Sequence, residues 1–274
     1  MRILAVVLGS LLILLAACGA RSNVQDNVWK PGDKPILLLT PGEIFKDKRL
    51  RQLAEAAQHG DIKEIDNLVA KGVNVNGHGK YGIGPLFSAW QAGNKDGFKT
   101  LLVHGANPNN VWSTGDTLLN LIAETADPYF LKLALSHGAD PNLIAPRTGI
   151  TPIFTAVDPM APDDSPIQPD GRENVSLLMQ AGANINYQTR DGETPLIAAA
   201  VAEQYGVVLQ LLTVGADLRL KMHNDRGLVD YVKRGSRILA ASDPQYQYWL
   251  QVVQFLRSKG VNINVEASDD DHQN

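Results

Sequence analysis

Six histidines and one cysteine are the residues of this 274-residue chain whose side chains best suit metal binding or nucleophilic chemistry. None of the histidines has further ligands at the spacing of a metal site. The segment GHGKYG (77–82) matches Gly-x-Gly-x-x-Gly, but a dinucleotide site also needs a strand before it, a helix after it and an acid about 20 residues later. The chain has no His-Glu-x-x-His, Gly-x-Ser-x-Gly or phosphate-loop pattern. We therefore expect no catalytic residue, no metal and no cofactor, and predict that the protein is not an enzyme.

The single cysteine, Cys18, ends an apolar run near the N-terminus. Arg2 precedes the run, Ile3–Ala17 is almost wholly apolar, and small residues stand at its end, as in a secretory signal. The run is shorter than the roughly 20 residues that a membrane-spanning helix needs. Leu15–Cys18 resembles the bacterial lipobox, which implies cleavage before the cysteine and its acylation. The alternative is a free cysteine in a plain signal or a short membrane helix.

The resemblance to the lipobox also implies a cellular location. Gly19 follows the cysteine, which is similar to the pattern of lipoproteins sorted to the outer membrane. We therefore expect a protein that is lipid-anchored to the outer membrane and faces the periplasm. Several acyl chains hold a protein stably on a membrane, where a single myristoyl chain does not.

The charge balance argues against nucleic acid as a partner. The chain has 25 lysines and arginines against 29 aspartates and glutamates, a net charge of −4, which becomes −5 when residues 1–17 are removed with Arg2. No long basic run is present, so we expect no nucleic-acid partner. We expect no small-molecule substrate either.

The elements that would position any binding residue recur along the chain. Six leucine-rich segments end in a glycine that is followed two residues later by Asn or Asp, and these glycines are Gly72, Gly105, Gly138, Gly182, Gly215 and Gly260. Their spacings of 33, 33, 44, 33 and 45 residues indicate a 33-residue unit with two insertions. A second marker follows four of the glycines: GPLF (84–87), DTLL (116–119), TPIF (151–154) and TPLI (194–197).

The residues in these markers are typical of the first and last residues of helices. Thr194 can accept a hydrogen bond from a backbone N–H at the start of a helix, and Pro195 suits the first helical position. Leu196 would then point inward. Gly215 follows a leucine-rich segment and can adopt the left-handed conformation that ends a helix. Each unit is therefore predicted to be two antiparallel helices and a loop.

Together the two markers resemble the ankyrin repeat, with its Thr-Pro-Leu-His start and Gly-Ala-Asp-x-Asn end, over about residues 50–265. The resemblance implies an all-α fold, an ankyrin-repeat solenoid of about six helix-turn-helix units with hairpin loops. It also implies that His59, His104 and His137 are scaffold residues at turns and helix ends rather than ligands.

Four segments follow from these patterns. We expect a lipoprotein signal peptide (1–17), the lipidated cysteine with a tether and lead-in (18–48), an ankyrin-repeat domain (49–265) and a disordered acidic tail (266–274). Within the lead-in, ILLLTPGEIF (36–45) is too apolar for a tether. We expect it to pack against the first repeat, and the alternative is a sticky linker.

Ankyrin stacks bind proteins with hairpin tips and with the first helix of each unit, and this resemblance implies the candidate contact residues here. The predicted hairpin-tip residues are Tyr81, Trp112, Arg147, Tyr187, Arg190 and Met222. Aromatic residues and arginine are enriched at binding hot spots. Trp90, on a predicted first helix, is a further candidate for the groove. For Trp90 and Trp112 the alternative is packing inside the repeats.

The fourth unit has an 11-residue insertion, within VDPMAPDDSPIQPDGREN (157–174), that is rich in proline and acid. Its prolines lower the cost of ordering the loop on binding, and its acids could steer a basic partner. The acidic candidates are Asp158, Asp163, Asp164 and Asp170. The alternative is a tolerated surface insertion. The second insertion, near residues 234–249, is either a further contact or an extended helix that closes the core.

The lead-in FKDKRLRQLAEAAQHGDIKEIDNLVAKGVNVN on an ankyrin lipoprotein resembles the immunity lipoproteins that accompany type VI secretion phospholipase effectors. This resemblance implies a periplasmic protein that binds a secreted lipase or phospholipase and neutralises it. The alternative is an outer-membrane-anchored scaffold or adaptor that binds a resident envelope protein.

Overall fold

In a computed structural model, the structure describes residues 34–125, 127–157 and 171–264. Cys18, the four acids of the first insertion and the segment 266–274 lie outside these residues. The described residues form helices, turns and loops, and among them β-structure is limited to isolated bridges. They divide into two compact units, residues 34–152 and residues 153–264, which are described separately.

The first unit consists of short helices arranged mainly as antiparallel pairs. Single turns of 3-10 helix cover Ile36–Leu38 and Lys80–Gly82. The α-helices are α1 (Pro41–Ile44), α2 (Lys48–His59), α3 (Ile62–Ala70), α4 (Pro85–Gln91), α5 (Lys95–Val103), α6 (Leu118–Ala123) and α7 (Tyr129–Ser136). Within each pair α2–α3, α4–α5 and α6–α7 the helices contact each other, and successive pairs pack side by side. This is the predicted helix-turn-helix unit.

The second unit repeats the same design. Its helices are α8 (Pro152–Ala156, which begins at the boundary), α9 (Arg172–Gln180), α10 (Pro195–Val201), α11 (Tyr205–Thr213), α12 (Leu228–Ile238) and α13 (Tyr246–Ser258). Helix α10 packs against α11 and α12, and α13 packs against α11 and α12. The fold is thus mostly helical, as the sequence predicts, and the total number of repeats stays a prediction.

The predicted helix boundaries of α10 and α11 are confirmed. The Thr194 hydroxyl accepts a hydrogen bond from the Ile197 N–H at 3.2 Å, Pro195 is the first helical residue, and Leu196 is buried. After α11, Gly215 has φ of 94°, which favours glycine because other residues are strained there. His104 and His137 follow α5 and α7 directly. The His137 ring bonds the Leu133 carbonyl at the end of its own helix, at 3.0 Å, whereas the His104 ring bonds the Asp66 carboxylate of α3, at 2.7 Å.

Asparagine side chains tie one repeat to the next. Asn109 donates to the Gly138 carbonyl at 2.8 Å and accepts from the Asp140 N–H at 2.7 Å. Asn76 makes the same two bonds to Gly105 and Asn107 one repeat earlier. Because both ends of the amide are used, each asparagine satisfies backbone groups that the loop would otherwise leave unpaired.

The lead-in packs on the first repeats, which confirms the expectation for residues 36–45. Leu37, Leu39, Ile44 and Phe45 are buried. At one end the Gln91 amide donates to the carbonyls of Leu37 and Leu39, at 2.7 and 3.1 Å. At the other end a Cβ on Gly79 would collide with the Ile44 carbonyl, so the hairpin approaches the lead-in closely.

The second insertion extends a helix and closes the core of the second unit. Helix α12 runs to Ile238, and Trp249 at the start of α13 is buried. The Trp249 indole donates to the Val232 carbonyl at 2.8 Å. Tyr248 lies beside Arg172, whose guanidinium donates to the Tyr248 hydroxyl at 2.8 Å. Of the two alternatives for this insertion, the structure favours the helix extension.

Candidate protein-binding surface

Hairpin loops between the repeats present backbone turns held by their own hydrogen bonds. In the loop after α5, the Trp112 N–H donates to the Asp116 carbonyl at 2.9 Å, and Val111 and Thr117 form an antiparallel bridge. In the loop before α12, the Met222 N–H donates to the Arg226 carbonyl at the same distance. These bonds fix the loop conformations, so the side chains at the tips start from defined positions.

Neighbouring loops are also bonded to each other. In the first unit, the Ser113 N–H donates to the Tyr81 carbonyl at 2.9 Å, and the Arg147 N–H donates to the Gly115 carbonyl at 3.0 Å. In the second unit, the His223 N–H donates to the Asp191 carbonyl at 2.8 Å. Each unit therefore carries a platform of loops joined edge to edge, which we call the hairpin-tip surface: residues 77–84, 110–117 and 143–151 in the first unit, and 187–194 and 220–227 in the second.

Two predicted contact residues lie on the hairpin-tip surface of the first unit. Tyr81 is half-buried with φ of 60°, and the Lys80 ammonium stands 4.6 Å from its ring centroid. Arg147 is exposed and forms an ion pair with Asp116 at 2.5 Å, which holds the guanidinium in one place. Exposed apolar side chains that the sequence did not single out lie on the same surface: Val111 is 40% and Ile144 is 44% exposed.

Three predicted contact residues lie on the hairpin-tip surface of the second unit. Tyr187 is half-buried and packs edge-on against Phe154, with ring centroids 6.1 Å apart. Arg190 is exposed at a loop tip. The half-buried Met222 accepts a hydrogen bond through its sulfur from the Tyr231 hydroxyl, at 3.6 Å. Within each unit the structure thus brings the predicted tip residues onto one surface.

The expectation for Trp90 and Trp112 is corrected, because both side chains are buried. Trp90 is 2% and Trp112 is 3% exposed. Phe87 packs between them, with its ring centroid 5.8 Å from that of Trp90 and 5.3 Å from that of Trp112. Burial of two large apolar rings stabilises the repeats more than exposure to solvent would. Neither tryptophan is available to a partner in this structure.

The repeat register contained the signal that identifies Trp90 as a core residue. Alignment of the helices on their first residues places Trp90 with Ala123, Val157 and Ala200, and all four are buried. A position that is apolar in all four of these helices is an inward position of the first helix. For Trp112 no such signal exists, because the equivalent loop residues differ in type from repeat to repeat.

Two carboxylates near the hairpin tips of the second unit have shifted pKa values. Arg219 donates two hydrogen bonds to Asp217, at 2.9 and 3.0 Å, and this lowers the Asp217 pKa to about 2. Burial raises the pKa of Glu193, and the nearby charge of Asp191 adds to the shift. Asp217 also accepts from the Arg219 N–H, so the pair fixes the turn.

The part of the chain that the structure describes offers neither a metal site nor a membrane-spanning helix. No group of three or more His, Cys, Asp or Glu side chains in residues 34–125, 127–157 and 171–264 is placed to hold a metal ion. Over the same ranges, every helix is too short or too polar to cross a bilayer.

Comparison with known proteins agrees with the geometry. Residues 191–223 match the family model of the ankyrin repeat. "Ankyrin repeat, SAM and basic leucine zipper domain-containing protein 1" of Mustela putorius furo is 30% identical over 150 residues, which are 53% of this chain and 31% of the relative. "Neurogenic locus Notch protein" of Drosophila melanogaster is 37% identical over 119 residues, 43% of this chain and 4% of the relative. The chain thus spans less than a third of the length of these relatives.

Two crystal structures are similar in fold. An ankyrin repeat domain from Acinetobacter baumannii AYE has a TM-score of 0.62 at 21% identity, covering 77% of this chain and 98% of that one. The human ASB11 ankyrin repeat domain has a TM-score of 0.55 at 25% identity, covering 79% and 86%. The described residues thus have the ankyrin-repeat fold. Ankyrin-repeat proteins are in general scaffolds for protein–protein interaction and not enzymes, so the function to explain here is protein binding.

Proposed function

We propose that this protein is a lipid-anchored immunity protein that binds a type VI secretion lipase or phospholipase and neutralises it in the periplasm. The observation that carries the binding part is the hairpin-tip surface, whose loops are joined by backbone hydrogen bonds and carry exposed apolar and arginine side chains. The identity of the partner rests on the resemblance of the lead-in to immunity lipoproteins. The proposed location, anchored in the outer membrane and facing the periplasm, rests on Cys18 and Gly19.

The partner contacts are assigned to the side chains that the structure leaves accessible. In the first unit these are Tyr81, Val111, Ile144 and Arg147, because two exposed apolar side chains and an arginine held by an ion pair lie on the same loops. In the second unit the corresponding set is Tyr187, Arg190 and Met222. A preorganised surface of this kind loses little conformational entropy when a partner binds.

We also propose a role in steering for the acids of the first insertion. Asp158, Asp163, Asp164 and Asp170 would attract a basic surface of the lipase and speed its association. Neutralisation then follows from covering the active site or from blocking the approach to lipid. An acylated Cys18 concentrates the protein at the membrane that the enzyme attacks, which raises the effective concentration at the site of damage.

The test is capture of the partner from the producing strain. Residues 19–274, tagged at the C-terminus, are incubated with the lysate and with the secreted fraction, and proteins retained through a salt wash are identified by mass spectrometry. We expect one secreted lipase whose hydrolysis of phospholipid vesicles falls on binding. A retained resident envelope protein, without a lipase, would instead establish the scaffold and contradict the immunity function.

Matched variants locate the contact. Arg190→Ala and Ile144→Ala should each weaken lipase binding roughly 5- to 30-fold, since hot-spot truncations cost about 1–2 kcal/mol or more. Lys132→Ala, at an exposed helix position away from the loops, is the control and should bind like the parent. Equal affinity of all three variants would exclude the hairpin-tip surface as the interface.

A further inference from the structure

Charge is divided unevenly between the described residues and the rest of the chain. Residues 34–125, 127–157 and 171–264 hold 22 lysines and arginines against 19 aspartates and glutamates, a net charge of +3, whereas the whole chain has −4. Residues 265–274 contain Glu266, Asp269, Asp270 and Asp271 and no lysine or arginine. An acidic segment therefore follows directly on a fold that is slightly basic.

Helix α12 has a charged face where the equivalent face of α10 is apolar. In α10, which packs against α12, Ile197 and Ala200 are buried. The residues 33 positions later in α12 are Asp230 and Lys233, and both are exposed. Positions that are buried in α10 are thus exposed and charged in α12, the first helix of the last described repeat. We call the surface formed by Asp230, Lys233 and Arg237 the outer face of α12.

Only some of the charged groups on and beside this face have a hydrogen-bond or ion-pair partner. Asp230 accepts a hydrogen bond from the Gly227 N–H at 2.9 Å and thereby caps its own helix. Arg234 pairs with Glu203 at 3.2 Å. Lys233 and Arg237 are exposed, and within the described residues no acid lies within ion-pair distance of either. Two cations four residues apart on one helix face form a site that favours an anionic partner.

The end of the described chain is packed on the last repeat. Ile263 is buried, and its carbonyl accepts a hydrogen bond from Arg257 at 3.3 Å. In the preceding repeat, the residues that follow Gly215 lead through a hairpin to α12, which packs on the outward side of α10. Counted from Gly260, residues 265–274 correspond to residues 220–229, which form the hairpin and the first two residues of α12, so the acidic segment starts beside the last described repeat. Ten extended residues reach about 33 Å, about twice the length of α12.

We propose that the C-terminal segment 265–274 docks on the outer face of α12, with its acidic side chains against Lys233 and Arg237. The segment takes the place that the first helix of another repeat would occupy, and it does so through charge rather than through apolar burial. It shields the edge of the last repeat from other chains in the way that polar capping repeats do. This inference is independent of the proposed immunity function.

Hydrogen exchange measured by mass spectrometry tests the docking on the full chain in detergent micelles. The full chain is compared with a chain that ends at Asn264. At about 20 mM salt we expect the amides of Leu228–Ile238 to exchange about 3- to 10-fold faster in the shortened chain, and at about 500 mM salt the difference should shrink because exposed charges are screened. Peptides from α7 serve as the internal control and should not change. Equal exchange of α12 in the two chains at low salt would overturn the proposal.

Charge-reversal variants distinguish direct docking of the segment from a general effect of its acidic residues on the exchange of α12. The variant K233E/R237E should lose the extra protection of α12 in the full chain, and so should D269K/D271K. The combination of all four substitutions should restore it, because opposite charges face each other again. Failure of the combined variant to recover protection, when both double variants have lost it, would contradict a direct contact between the segment and this face.

Discussion

The inner faces of helices α4 and α10 occupy the same position in their repeats but meet different neighbours. Gln91 at the end of α4 donates to the carbonyls of Leu37 and Leu39, so the lead-in covers this face. Val201 takes the same position in α10 and is 37% exposed. The repeat geometry provides equivalent faces, and the flanking chain decides which of them a partner can reach.

This difference bears on where an ankyrin partner can bind. A partner segment that used the inner helix face of α4 would compete with residues 36–45, in which Leu37, Leu39 and Ile44 are already buried. The inner face of α10 and the hairpin-tip surfaces have no such occupant among the described residues. The proposed immunity interface therefore uses loops rather than the inner face of α4.

The largest expected effect comes from the core beneath the covered face. Trp90→Ala removes a fully buried ring beside Gln91, and we expect it to lower the free energy of unfolding by about 3–5 kcal/mol. Val201→Ala, at the exposed position of α10, should change it by less than about 0.5 kcal/mol. Urea titration followed by circular dichroism measures both. If both variants lowered the free energy of unfolding by a similar amount, the covered face of α4 and the exposed face of α10 would not differ in their contribution to stability.

The next effect tests the contact that holds the lead-in. Gln91→Leu leaves the carbonyls of Leu37 and Leu39 without their donor in a partly buried place, which should cost about 1–3 kcal/mol. Hydrogen exchange of residues 36–45 should rise in the same variant.

Val201→Leu is the matched control for this change, because it alters the equivalent position of α10 where no lead-in lies. It should leave both the urea midpoint and the exchange of residues 36–45 unaltered. If Gln91→Leu behaves like this control, the two hydrogen bonds do not hold the lead-in in place.

The sequence predicted the backbone of the repeats well, because that information is local. Thr194 and Pro195 define the start of α10, and Gly215 defines the end of α11, through contacts with residues a few positions away. The apolar composition of residues 36–45 likewise predicted that they pack on the fold. What it did not predict was the partner atom, since the Gln91 amide lies 52 residues from the Leu39 carbonyl that it contacts.

Side-chain exposure was harder to predict than secondary structure. The local sequence of a loop does not show whether its tryptophan is exposed or buried, and the Trp112 ring packs against Phe87 of an earlier helix. Arg147 was predicted correctly to lie on a hairpin loop, but its pairing with Asp116 depends on the adjacent loop. The loop contacts between repeats thus determine which candidate residues stay accessible.

A smaller effect on stability is expected at Thr194, the N-terminal cap of α10. Thr194→Ala removes the acceptor for the Ile197 N–H, and loss of such a cap costs about 1 kcal/mol. Thr213→Ala removes a hydroxyl that only bonds the Leu209 carbonyl in the exposed last turn of α11, and it should cost less. Thermal and urea unfolding of both variants compare the two. Equal stability of Thr194→Ala and the parent would show that the cap does not stabilise α10.

The smallest expected effect is a pH dependence of the stability of the lead-in. Hydrogen bonds from Lys34 and from the Thr40 backbone and hydroxyl lower the pKa of Glu43 to about 2 from its usual 4.5. Because the folded pKa lies below the unfolded one, the charged carboxylate stabilises the lead-in above about pH 4.5, and this contribution is lost as the pH falls toward 2.

Glu43→Gln should therefore lower the urea midpoint slightly at pH 6, and the gap from the parent should close progressively below pH 4.5. Lys34→Gln removes the strongest of the three interactions and should show the same convergence. Salt should weaken the effect of Lys34→Gln, since the ion pair is solvent-exposed. A gap between parent and Glu43→Gln that stays constant from pH 6 to pH 3 would mean that the carboxylate charge does not help to hold the lead-in on the first repeats.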